Sequence, residues 1–145
     1  MTAHEGFTTP LVAKLTGVSA LTLENWDRRG FIKPSIADAP TRGVSRIYSF
    51  RDLVAIRVVC DLRAAGISLQ ALSRVVKYLR GRKGLSTTEI LASTTLVTDG
   101  HDVFEVEGAM TVSALRRPGQ RVLFVVPLDE LVTELQAKTR ALRAA

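Results

Sequence analysis

Residues Val12 to Ser35 read VAKLTGVSALTLENWDRRGFIKPS, and this stretch decides how the rest of the chain is organised. Val12, Ala13 and Leu15 recur at helical spacing and stop at Thr16-Gly17-Val18. Ser19 stands where an N-cap belongs, since its hydroxyl can accept an amide hydrogen from the next turn. The spacing predicts a second helix over Ala20 to Arg28, with Gly30 as a left-handed stop. Phe31, Ile32 and Pro34 then leave in extended form, because the residue before a proline avoids the helical region. Two short helices meeting at a steep angle need a small residue at the crossing, which Ala13 provides. They need a turn residue tolerant of positive φ, which is Gly17. Val12, Val18, Leu23 and Trp26 fill the angle between them.

The outward face of the second helix is then Ala20, Leu21, Glu24, Asn25 and Arg28. A braced helix of this kind can enter a DNA major groove. Asn25 can pair its amide with adenine, and Ala20 and Leu21 can meet a thymine methyl. Glu24 can accept from cytosine or repel phosphates. Arg28 and Arg29 are placed for phosphate, and Lys33, Arg42 and Arg46 for the DNA backbone from a wing. The alternative for Asn25 and Glu24 is an ordinary solvated surface. Trp26 is expected in the core, not in base stacking.

Downstream, Ser35 to Ser45 is a loop rich in Ser, Ala, Pro, Thr and Gly. Arg46-Ile47-Tyr48 reads as a short strand, expected to pair with Phe31-Ile32-Lys33 as a two-stranded wing. Ser49-Phe50-Arg51-Asp52 is a start signal for a third helix with Leu53, Ile56 and Cys60 on its apolar face. Gly66 stops it. Ser68 caps a fourth helix in which Leu69, Leu72, Val76 and Leu79 recur, while Arg74, Lys77 and Arg80 mark the other face.

The character changes at Gly81-Arg82-Lys83-Gly84. Met1 to Gly84 holds 14 Lys/Arg against 6 Asp/Glu, a net of +8, whereas Leu85 to Ala145 holds 6 against 8, a net of −2. Such asymmetry points the first part at a polyanion. Beyond the boundary, Ser86 to Glu89 is a capping box for a short helix through Ala92. Thr94–Thr98 and Asp102–Val106 read as strands joined at Asp99-Gly100. Met110–Arg117 reads as a helical turn and Arg121–Val126 as a buried strand. A last helix runs over Leu128 to Arg143, with a leucine side expected to dimerise through 121–143.

Thr8 to Leu79 resembles the MerR-type winged helix-turn-helix regulators, through the opening stretch and through RIYSFRDLVAIRVVCDLRAAGISLQAL at Arg46 to Leu72. The resemblance implies a helix-turn-helix, a wing, a second helix pair, and a homodimer on a roughly palindromic site. It implies that Ser19 and Thr22 open the recognition helix, and that Arg46 and Tyr48 match the wing strand of an R-x-Y-S signature. Where the family carries Arg-x-x-Arg-Tyr-Tyr in its recognition helix, this chain has Leu21, Glu24, Asn25 and Trp26. That pattern is similar to the single-tryptophan branch, which includes small developmental regulators and excisionases.

The expected fold is mainly α with small β: a winged helix-turn-helix over 1–82, then a small α/β region over 85–145 ending in a helix. The expected function is a dimeric, sequence-specific transcriptional regulator on double-stranded DNA. The alternative is an antitoxin-like protein that autoregulates through its helix-turn-helix and binds a partner protein through its C-terminal region; that region could also hold a ligand. One cysteine, Cys60, excludes an internal disulfide and a multi-thiol metal site. Asp99-Gly100-His101 begins a cobalamin-type pattern, but Phe104 stands where that pattern needs glycine. No cofactor or metal is expected, and no nucleophile constellation suggests an enzyme. No signal peptide or membrane span is evident, so a cytoplasmic, nucleoid-associated protein is expected.

Overall fold

The computed structural model describes residues 6–38, 46–93, 95–98, 103–106, 124–125 and 128–144. Helix α1 (Thr9–Thr16) carries Pro10 in its first turn, where a missing N–H costs no helical bond. It ends at Gly17, whose φ of 81° lets its N–H donate to the Ala13 carbonyl at 2.9 Å. Helix α2 (Ala20–Arg28) starts at Ser19, whose hydroxyl accepts the Thr22 N–H at 3.1 Å. At its other end Gly30 takes a φ of 73°, and the Phe31 N–H donates to the Trp26 carbonyl at 2.9 Å. The helix pair therefore follows the sequence reading closely.

The wing does not. Strand β2 (Ile47–Tyr48) pairs antiparallel with β1 (Phe7–Thr8), with Phe7 opposite Tyr48 and Thr8 opposite Ile47. Its other neighbour is Ala37, bridged to Ile47. The expected partner, Phe31–Lys33, is not a strand. The reason lies in the backbone. The Phe31 N–H closes the end of α2, Pro34 has no N–H, and the Ser35 N–H is bonded to Asp52. Little of that stretch is left to make a ladder.

Helix α3 (Phe50–Ala64) begins with a complete capping box. The Ser49 hydroxyl accepts the Asp52 N–H, and the Asp52 carboxylate accepts the Ser49 N–H. Asp52 is fully buried and also holds the Ser35 N–H and hydroxyl, which fixes the exit from α2 onto α3. Leu53, Val54, Ala55, Ile56, Val58, Val59 and Leu62 are all buried, so α3 is apolar around most of its circumference. Only a central helix tolerates that. It is central because α1, α5 (Thr87–Ser93) and α6 (Leu128–Ala144) pack against it. Helix α4 (Leu69–Lys83) is capped by Ser68 and contacts α5.

Beyond α5, β3 (Thr95–Thr98), β4 (Val103–Val106) and β5 (Phe124–Val125) form an antiparallel sheet in the order β4-β3-β5. Thr98 lies opposite Val103, the register of a hairpin. The expected Asp99-Gly100 turn and the Met110–Arg117 segment lie outside the described residues. The mainly helical expectation with small sheets is met.

One hydrophobic core crosses Gly84. Ile90 and Leu91 of α5 and Leu131 and Leu135 of α6 join Phe7, Val12, Leu53 and Ile56 in a single cluster. Each such side chain contributes roughly 1.5–3 kcal/mol over exposure. The leucine side of the last helix, expected to face a second copy, is thus occupied within the chain at Leu131 and Leu135. Arg57 and Glu134 reinforce the packing at 2.7 Å, and the Arg143 guanidinium lies 4.6 Å from the centre of the Phe7 ring.

Candidate nucleic-acid interface

Leu23 and Trp26, three residues apart, point α2 inward against α1 and the core. Trp26 meets Phe31 edge-on, with ring centroids 5.7 Å apart, which is the packing role expected of it. The opposite side carries Ala20, Leu21, Asn25 and Arg28 in the open, with Arg29 just past the end. Leu21 is 64% exposed, an unusual setting for leucine. One turn on, Arg28 donates to the Asn25 side-chain oxygen at 2.9 Å. That bond orders both groups on the surface and leaves the Asn25 amino group available as a donor. The Ser19 hydroxyl donates to the Thr22 hydroxyl at 2.9 Å, so both are engaged in the cap.

The charged side chains expected from the wing are arranged differently. Asp27 follows Leu23 by four residues on the inward face, and its side chain is only 3% exposed. Arg46 Nε donates to Asp27 Oδ2 at 2.6 Å, and Lys33 Nζ donates to Oδ1 at 2.9 Å. Lys33 also reaches Asp38 at 3.1 Å, and Arg46 lies 3.8 Å from Glu24. Burial pushes the Asp27 carboxyl up, but its partners Asp38, Lys33 and Arg46 outweigh this and hold it below the usual carboxylate range. The hydrogen bond to Asp27 raises both Lys33 and Arg46. The result is an ionic clasp between the helix and the strand that follows it.

Arg46 and Lys33 are therefore not the free phosphate arms expected of them. Arg46 is tied beneath the surface, its side chain 19% exposed, whereas Lys33 keeps much of its stem in solvent. Tyr48, matched by the resemblance to the wing strand and expected among the DNA-binding residues, is instead a core residue. It is fully buried on β2, and burial pushes its phenol up to about 12. Arg42 lies outside the described residues. Asp27 was missed, although a carboxylate in phase with Leu23 and Trp26 is itself a signal: a charge on the inward face requires a partner.

A sequence profile for the MerR HTH family regulatory proteins matches residues 7–79, which span β1, α1, α2, β2, α3 and most of α4. The chain belongs to the MerR helix-turn-helix family. Relatives in Mycobacterium bovis and in two Mycobacterium tuberculosis strains, each named an uncharacterized HTH-type transcriptional regulator, are 34% identical to it over 130 residues. The aligned part covers 90% of this chain and 56% of each relative, so the chain spans little more than half the length of the relatives it matches. The MerR family is one of regulatory proteins, in keeping with the expectation of no catalysis. Among the described residues no His, Cys, Asp and Glu cluster could hold a metal, and no helix is long and apolar enough to cross a membrane.

Proposed function

We propose that this protein is a sequence-specific transcriptional regulator that binds double-stranded DNA as a homodimer on a near-palindromic site. One observation carries the reading: α1 braces α2 so that Leu21, Asn25, Arg28 and Arg29 face outward together in a chain of the MerR family. In this reading Leu21 and Ala20 meet thymine methyl groups, and Asn25 contributes its amide to adenine. Arg28 and Arg29 grip phosphates, and Ser19 and Thr22 approach the backbone at the helix start. Glu24 is half-exposed beside Arg46 and limits loose binding by repelling phosphates. The Asp27 clasp sets the angle at which the wing meets the duplex.

The dimer forms through residues 121–143, using the edge of α6 not occupied by Leu131 and Leu135. The site of action is the cytoplasmic nucleoid. The test is selection of bound genomic fragments by the purified chain, at stated salt. A single enriched inverted repeat supports the proposal. Enrichment without sequence preference, or none at low salt, refutes it. Six to ten phosphates neutralised per dimer would make affinity fall roughly a thousandfold or more between about 50 and 200 mM salt.

A further inference from the structure

A groove of about 900 Å³ runs between the C-terminal end of α2 and the open side of α4. Arg29, Arg63, Arg74, Lys77 and Arg80 line it, and among the described residues no Asp or Glu does. Lys33, Arg46, Arg57 and Lys138 each have a carboxylate within ion-pair distance. Among the described residues the five groove cations have none, as is also true of Lys14, Arg28, Arg51, Arg140 and Arg143; what sets the groove apart is that five such cations share one concavity. Arg74, Lys77 and Arg80 recur every three residues, which stacks them along one side of α4. Like charges gathered in one concavity repel each other and focus a positive field into it.

The floor is not charged. The half-buried Phe31 and the small exposed edge of the otherwise buried Trp26 form one wall, with Leu69 and Val76 beneath. A duplex turns phosphates outward and keeps its bases stacked, so it offers nothing to an aromatic wall. A free nucleotide offers both parts at once: a polyphosphate for the cations and a flat ring for the aromatic edge. The volume lies within the range of small-molecule sites. We infer that this groove binds a nucleotide carrying two or more phosphates, with the phosphates along the α4 row and the base against Trp26 and Phe31. The site is separate from the outward face of α2, but Arg29 belongs to its rim, so an occupant would touch the end of the recognition helix.

Trp26 is the chain's only tryptophan and edges this wall, so its fluorescence reports on the groove and on the α2 helix that carries it. The full chain is titrated with ATP, with inorganic triphosphate and with a mixed-sequence duplex. The inference expects a saturable change with ATP, and an affinity for triphosphate at least about tenfold weaker. The variant Arg74→Glu/Lys77→Glu alters two exposed side chains, and circular dichroism checks that it stays folded. It is expected to weaken ATP by about tenfold or more, whereas Arg28→Ala, on the DNA face, leaves the ATP titration unchanged. The inference is overturned by the absence of a saturable response to ATP. Equal affinity for ATP and triphosphate overturns it too, as does a response to the duplex alone. Failure of duplex selection would leave this test unaffected, since its readout involves no duplex binding to α2.

Discussion

Replacing Asp27 by Asn keeps the shape of the side chain and removes its charge. Asp27 presents one oxygen to Lys33 at 2.9 Å and the other to Arg46 at 2.6 Å. An amide must turn its NH₂ toward one of those two cations, so one bond becomes a donor facing a donor. A hydrogen bond between charged partners contributes roughly 1.5–3 kcal/mol. Asp27 is almost wholly buried and Arg46 keeps 19% of its side chain in solvent, so Arg46 recovers some hydration when released. The expected loss is about 2 kcal/mol, or a melting temperature lower by about 4–8 °C for a chain of this size. Urea denaturation should show the midpoint shift at unchanged slope. A double-mutant cycle with Arg46→Met should return a coupling of at least about 1 kcal/mol. The pH dependence has a definite sign. The folded carboxyl lies below its unfolded value of about 3.9, so the contribution is complete above that pH and is lost as pH falls through the lower folded value. The gap between wild type and Asp27→Asn should be flat from about pH 7 to 5 and close below about pH 4. A loss under about 0.5 kcal/mol, or a gap that widens in acid, would refute the clasp as a stabilising element.

Three other outcomes follow from the same structure. Arg28→Ala/Arg29→Ala should flatten the slope of log affinity against log salt by about 0.9 for each phosphate no longer neutralised, measured by fluorescence anisotropy on any duplex. Leu135→Ala removes a fully buried side chain where α6 meets α3, and should cost about 2–5 kcal/mol in chemical denaturation. A cost under about 1 kcal/mol would mean that α6 leaves the core in solution. Ser49→Ala removes half of the α3 capping box and should cost about 1 kcal/mol, with the Asp52 N–H, deprived of its acceptor, exchanging faster.

The local signals in the sequence were good guides wherever one turn of chain decides the outcome. Ser19, Ser49, Ser68 and Ser86 each stand at the head of a helix and accept from the third residue on. Gly17 and Gly30 both end helices at positive φ. What could not be read is what depends on distant segments. The partner of β2 is Phe7–Thr8, some 40 residues earlier, and a two-residue strand carries no periodicity that names its neighbour. The last helix shows a leucine stripe, but a stripe is equally satisfied by a second copy or by α3, and the choice depends on the apolar groove α3 leaves open. The outward face of α2 was legible for Leu21, Asn25 and Arg28 because helical phase alone places them. Arg46 and Lys33 were misjudged because their disposition is set by Asp27, a buried carboxylate that recruits cations from well beyond its own helix.

Hydrogen exchange resolved to single amides, with and without the duplex recovered by fragment selection, addresses the recognition helix itself. Saturating duplex should slow exchange from Ser19 through Arg29, leave Leu131 to Leu135 on α6 unchanged, and lose most of its effect in Arg28→Ala/Arg29→Ala. Protection confined to α4 or to the C-terminal region, with the first turns of α2 exchanging as fast as in the free protein, would contradict the assignment of α2 as the reading element.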